Sequence, residues 1–175
     1  VSLRFEAAVG GGIPIIKVLR ESLSGNQISY IAGIINGTTN YILSEMAVSG
    51  RSFSEILSEA QELGFAESDP SFDIDGVDAG YKLVILASIA FGIPLSLDEL
   101  YTEGVSQISI IDLKFASELG YKIKHLAVAR IADSRLELRV NLALISTSHL
   151  ISGVDGVGNA VLVQGYPSGE TLLCG

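Results

Sequence analysis

The chain reads as an α+β domain: a mixed, largely antiparallel sheet with helices packed on one face. Two patterns predict this. Apolar residues recur at helical spacing through the middle of the chain, and alternating segments joined by short polar turns fill the part after Gly120. Composition agrees. The 175 residues are 48% hydrophobic and 18% charged, enough apolar material for one folded core. No internal repeat or low-complexity linker interrupts them, so residues 1–175 are taken as a single domain.

Residues 1 to 9 alternate and then turn apolar, as a strand entering a sheet would. Gly10-Gly11-Gly12 turns the chain. Pro14 suits the first turn of a helix, where its missing N–H removes nothing. Ile15, Ile16, Leu19 and Leu23 continue at helical spacing until Gly25-Asn26. A strand is expected over Ile28 to Ile35. A turn, Asn36-Gly37-Thr38-Thr39-Asn40, then leads into a helix reaching about Val48. Ser52 and Glu55 have capping-box spacing, which starts a helix running to about Leu63. A mostly apolar helix spans about Val77 to Phe91 and stops at Gly92, with Pro94 beyond. Ser96 and Glu99 repeat the capping spacing, and Ile110 to Leu119 forms a further helix. Lys122 to Ile131 and Leu136 to Leu144 flank Asp133-Ser134-Arg135 as a hairpin. Asn159 to Gln164 and Glu170 to Leu173 make a second hairpin through Tyr166-Pro167-Ser168-Gly169.

The formal net charge of −9 argues against nucleic acid and against anionic membrane surfaces as partners. One cysteine, Cys174, allows no internal disulfide, which fits a reducing compartment. With two scattered histidines, a zinc site is not expected. The apolar run Leu83 to Phe91 is too short to cross a bilayer, and no secretory signal is visible.

Chemistry concentrates between Gly64 and Lys82. Glu67, Asp69, Asp73, Asp75 and Asp78 crowd a short stretch that ends on Lys82. Asp78 and Lys82 lie four apart and share a helix face. Such a pair is commonly a surface ion pair worth a few tenths of a kcal/mol. Here the residues that follow are apolar nearly all round, so the helix is expected to be buried. A lysine at its mouth is then partly desolvated and suited to proton transfer, with a carboxylate holding it. A calcium loop is excluded. Placing Gly76 sixth puts Lys82 where a bidentate glutamate belongs. The rest of the acidic stretch reads as a solvated turn, with Asp69-Pro70 starting it and Asp75 capping the helix.

The Gly10-Gly11-Gly12 cluster could present N–H groups to an anion, hold a monovalent cation with its carbonyls, or simply connect two elements. A dinucleotide fingerprint fails there, because its third glycine falls at Ile15. His125 and His149 have no nearby nucleophile and read as structural. No G-x-S-x-G or P-loop pattern occurs.

Four ordered strings carry a family likeness. They are Glu6-Ala7-Ala8-Val9-Gly10-Gly11-Gly12-Ile13-Pro14, Gly33-Ile34-Ile35-Asn36-Gly37-Thr38-Thr39-Asn40-Tyr41-Ile42-Leu43, the stretch from Ala60 through Lys82, and Val154-Asp155-Gly156-Val157-Gly158-Asn159-Ala160-Val161. Together they resemble the catalytic region of homoserine dehydrogenases across essentially the whole chain. The resemblance implies an NAD- or NADP-dependent oxidoreductase interconverting L-homoserine and L-aspartate 4-semialdehyde. Such an enzyme serves threonine, methionine and isoleucine biosynthesis and is expected to be cytoplasmic and homodimeric through the sheet. By the family pattern Lys82 passes a proton to the substrate oxygen. Glu67 and Asp78 bind the substrate's amino and hydroxyl ends, and Asp73 supports the site. Gly37 and Thr38 border the nicotinamide and the substrate. Glu6, with the carbonyls of Val9, Gly11 and Ile13, matches a site for a monovalent cation, Na+ or K+.

The family's N-terminal Rossmann domain, its second active-site lysine and its Gly-Pro-Gly-Ala-Gly-like turn are not found here. The chain has no initiator Met and ends on Leu172-Leu173-Cys174-Gly175. It is therefore expected to be the substrate-binding and dimerisation part of a longer protein, inactive by itself. Two alternatives stay open: a non-catalytic dimerisation or binding module on the same scaffold, and a dehydrogenase for a related amino-acid semialdehyde.

Overall fold

A computed structural model describes residues 3–175. The strands are β1 (Gln27–Ile34), β2 (Leu100–Thr102), β3 (Tyr121–Ala132), β4 (Arg135–Ser146), β5 (Ala160–Tyr166) and β6 (Gly169–Cys174). They form one sheet in the order β2-β4-β3-β1-β5-β6. β2 runs parallel to β4, and the other neighbours are antiparallel. Both hairpins expected after Gly120 are present. The β3–β4 turn takes two residues, Asp133 (φ 49°) and Ser134 (φ 61°), between the paired Ala132 and Arg135. Two successive left-handed residues give the turn a twist that matches the strands, and Asp tolerates that conformation better than most.

The helices are α1 (Ile15–Lys17, continuing as a wider turn through Ser22), α2 (Gly37–Ser49), α3 (Phe53–Glu62), α4 (Ser71–Ile74), α5 (Val77–Phe91) and α6 (Ile110–Glu118). Capping boxes open α3 at Ser52–Glu55 and α6 at Ser109–Asp112. One apolar cluster joins α1 and α5 to the sheet face of Ile31, Ala127, Ala129, Val140, Val161 and Val163. Burying Leu83 and Leu86 of α5 there stabilises the fold by about 1.5–3 kcal/mol per side chain. The opposite face carries Ala32, Ile34, Leu126, Val128 and Leu162, with Ile151 from the loop after β4 laid on it. Apolar residues on both faces explain why the middle of β3 is buried continuously instead of alternately.

Three readings from the sequence need correction. No strand covers residues 3–9, the described part of the expected 1–9 strand. Glu6–Ala8 is a 3-10 turn. The cause is Glu6, whose carboxylate accepts the N–H groups of Ile16 (2.8 Å) and Lys17 (3.1 Å). That folds the segment back over the start of α1 instead of extending it. The acidic stretch holds α4, where a plain turn was expected, because Asp69 Oδ1 accepts from the Ser71 N–H and hydroxyl and starts a helical turn. Asp75 does not cap α5. Gly76 (φ 81°) holds that position without a side-chain cap. β2, a three-residue strand pairing in parallel across a long separation in sequence, is an addition to the sequence reading.

Candidate active site

The residues singled out around Lys82 converge on Asn36, which the sequence reading placed in the turn before α2 without a role. As the N-cap of α2, Asn36 accepts the Thr39 N–H on its Oδ1 at 2.9 Å. This fixes its amide orientation, so the Nδ2 donors face the other way. One donor goes to Asp73 Oδ1 at 2.7 Å and the other to Asp78 Oδ2 at 2.8 Å. Asn36 is 5% exposed, so these bonds are sheltered from water and the amide acts as a fixed bridge between two carboxylates.

Lys82 lies one turn along α5 from Asp78. Its Nζ donates to Asp78 Oδ2 at 2.7 Å and to the Ile35 carbonyl at 3.1 Å. The two side chains are 26% and 19% exposed, so the pair is partly desolvated. An ammonium has three donors, and these two bonds leave one for an incoming oxygen. The Thr38 hydroxyl lies 2.8 Å from the Phe65 carbonyl and 3.0 Å from Asp73 Oδ2. It ties α2 both to α4 and to the segment leading to Glu67. Glu67 itself is exposed, and its backbone carbonyl accepts from Gln61 Nε2 at 2.9 Å.

Gly37 stands at the first position of α2. A Cβ there would meet the Val157 carbonyl at 3.1 Å. That close approach comes from a buried polar network that no local sequence pattern announces. Lys124, 2% exposed, donates to Asn40 Oδ1 (3.1 Å), the Val154 carbonyl (2.6 Å) and Asp155 Oδ1 (2.7 Å). Asn40 Nδ2 donates to the carbonyls of Val154 and Gly158, and Ser44 Oγ accepts the Gly156 N–H. The 154–158 loop is thereby fastened against α2. Burial pushes the Lys124 amine below its ordinary pKa, although Asp155 opposes the shift. For Asp155, burial acts upward, but the hydrogen bonds from Lys122 and Lys124 outweigh it and hold the carboxyl below its ordinary value.

Glu6, Val9, Gly11 and Ile13 belong to a separate set at the start of α1. Among the described residues no group of three or more His, Cys, Asp or Glu could hold a metal ion. A cation there would have Glu6 and backbone carbonyls as donors. Glu6 is already bonded to the Ile16 and Lys17 N–H groups, and the Ile13 carbonyl accepts from the Ile15 N–H at 2.8 Å.

An amide-bridged carboxylate pair, a lysine held by one of them, and a helix N-terminus bordered by glycine now define the locality. The sequence model for homoserine dehydrogenase matches residues 14–175. The chain belongs to the homoserine dehydrogenase family. It is 58% identical over its full length to a homoserine dehydrogenase of Pseudomonas aeruginosa and 54% identical to that of Neisseria gonorrhoeae. A crystal structure of a homoserine dehydrogenase from Thiobacillus denitrificans superposes with a TM-score of 0.96 at 57% identity, covering 98% of this chain and 40% of that one. The chain spans 40% of the length of both the Pseudomonas and the Neisseria relatives. The α+β architecture is thus shared with solved members of the family.

Proposed function

We propose that this chain is the substrate-binding catalytic part of an enzyme that interconverts L-homoserine and L-aspartate 4-semialdehyde. The observation that carries the reading is the Asn36–Asp73–Asp78–Lys82 cluster. When bound, a nicotinamide cofactor, NAD or NADP, would accept or supply the hydride. Lys82 would hold its free N–H against the substrate oxygen, stabilising negative charge there and passing the proton. Asp78 keeps that amine in place, and the helix fixes their spacing. Asp73, Asp78 and the exposed Glu67 give the ammonium of an amino acid anionic partners. Gly37 and Thr38, at the N-terminus of α2, would border the substrate and the nicotinamide ring.

The monovalent-cation reading assigns Glu6 and the Val9, Gly11 and Ile13 carbonyls as donors. Hard oxygen donors of low total charge suit Na+ or K+ in kind. The open edge of β6, the last strand in the sheet order, supports a homodimer formed through the sheet. No helix of the described residues is long and apolar enough to cross a membrane, which is compatible with a cytoplasmic enzyme of amino-acid biosynthesis.

The test is NADPH-dependent reduction of aspartate semialdehyde by the full-length protein, beside its Lys82→Ala variant. The reading expects robust turnover in the parent and its loss in a variant that stays folded. Near-normal turnover in the variant would remove Lys82 from its role. No turnover in either protein would favour a different semialdehyde or a non-catalytic module.

A further inference from the structure

His125 takes no part in the chemistry proposed above, yet it lies directly behind the cluster. It sits on β3 and is 5% exposed. Its Nε2 is 2.9 Å from the Glu103 carbonyl. A carbonyl only accepts, so Nε2 carries the proton. In the neutral ring Nδ1 is then an acceptor. It lies 3.4 Å from Thr39 Oγ1. Thr39 is the residue that orients Asn36: its N–H is held by Asn36 Oδ1, and its hydroxyl lies 3.3 Å from the Asn36 carbonyl.

The same ring supports the other half of the cluster. Gly76 is the elbow between α4, which carries Asp73, and α5, which carries Asp78 and Lys82. A Cβ on Gly76 would lie 3.1 Å from His125 Cε1 and 3.0 Å from Thr102 Cγ2. The elbow therefore rests almost in contact with the imidazole edge. A left-handed φ of 81° and this lack of space both call for glycine. Three segments meet at one ring: the N-terminus of α2, the α4–α5 elbow and the strand end at Glu103.

We infer that His125 is a positioning residue, setting the Asn36 bridge through Thr39 and the two carboxylates through Gly76. The inference rests on the homoserine dehydrogenase reading for its activity readout alone. An apolar side chain of similar size would fill the space but leave the Glu103 carbonyl without its donor and take Nδ1 away from the Thr39 hydroxyl.

Two substitutions separate the ring's two bonds, because asparagine places its amide near Nδ1 and glutamine near Nε2. In the full-length protein, His125→Gln keeps the Glu103 bond and loses the Thr39 bond. His125→Asn does the reverse. The expected result is a kcat loss on the order of tenfold for His125→Gln. The cofactor KM should stay unchanged, and His125→Asn, which keeps the Thr39 bond but vacates the space beside Gly76, should lose less. Hydrogen exchange at the Thr39 amide should accelerate in the glutamine variant only. Thr39→Val removes the hydroxyl without touching β3 and should reproduce the glutamine variant, which keeps the question answerable if the latter fails to fold. Parent-like kcat and Thr39 exchange in His125→Gln overturn the inference, as does an equal loss in both His125 variants. If the parent does not turn over homoserine, the functional reading fails, and the exchange measurement alone decides the role of His125.

Discussion

Asn36→Asp isolates the electrostatics of the cluster, since aspartate caps a helix about as well as asparagine and the Thr39 N–H keeps its acceptor. What disappears is the NH2 group that lies 2.7 Å from Asp73 Oδ1 and 2.8 Å from Asp78 Oδ2. A carboxylate oxygen placed there faces two others. Unit charges about 3 Å apart repel by about 5–6 kcal/mol at an effective dielectric of about 20. A cheaper state exists, in which one carboxyl takes a proton and donates it to its neighbour. Keeping that proton at about pH 7 on a group of pKa about 4 costs about 4 kcal/mol, falling by about 1.4 kcal/mol per pH unit. Lys82, 2.7 Å from Asp78, relieves part of this, so the expected loss near neutrality is about 2–4 kcal/mol. The sign follows from proton uptake. The native trio binds a proton that the unfolded chain releases above about pH 4, so stability rises as pH falls from about 8 toward 5. Urea unfolding across that range measures it, beside Asn36→Ala, which lacks the added charge and should show no such slope. A variant as stable as the parent at neutral pH, or one whose stability ignores pH, would refute the bridge.

Two further perturbations address the loop beside α2. Gly37→Ala drives a Cβ to 3.1 Å from the Val157 carbonyl, in a loop fastened by Asn40 and Lys124. The expected destabilisation is about 1–3 kcal/mol in urea, with turnover reduced, whereas unchanged stability would mean the loop yields freely. The Asp155 carboxyl is held below its ordinary pKa in the folded chain. Its contribution is therefore present above about pH 4 and lost as pH falls through the lower folded value. Asp155→Asn should remove that acid-side decline and leave Lys124 bonded only to neutral oxygens. With Asp155 half exposed, the loss at neutral pH is expected to be about 1–2 kcal/mol, well below that of a fully buried pair. An acid titration of stability identical to the parent's would exclude the pairing.

The parts of the fold legible in the sequence were those encoded locally. The Ser52–Glu55 capping box, the apolar run ending at Gly92 and the polar turn at Asp133-Ser134 each lie within a few residues of the structure they specify. Asp78 and Lys82 were readable for the same reason, since a helix places residues four apart side by side. What escaped depends on partners distant in sequence. Glu6 looks like the middle of a strand until Ile16 and Lys17 supply N–H groups ten and eleven residues on. Asn36 looks like one polar residue in a turn, and only folding brings it to Asp73 and Asp78. Lys124 and His125 sit in an alternating segment, where an exposed lysine and an ordinary core histidine are the default readings. The doubled apolar faces of β3 and the acceptors around it bury and bond Lys124 instead, while His125 is the buried structural histidine the sequence reading expected, its particular partners lying 22 and 86 residues away. β2, at three residues, carries too little pattern to register by itself.

That short strand also bears on the order of assembly. The Glu103 N–H bonds to the Val140 carbonyl and the Val105 N–H to the Ile74 carbonyl, so the stretch just after β2 laces the α4–α5 elbow to the far edge of the sheet. It can do so only once β4 is in place, and β4 comes through a hairpin that closes locally with β3. Non-local parallel pairing is intrinsically slow to form. In refolding experiments, the bulk of the helix and sheet signal should therefore return before the α4–α5 elbow, and with it Asp73, is fastened to the sheet edge. A nascent chain would have its scaffold before it had its chemistry.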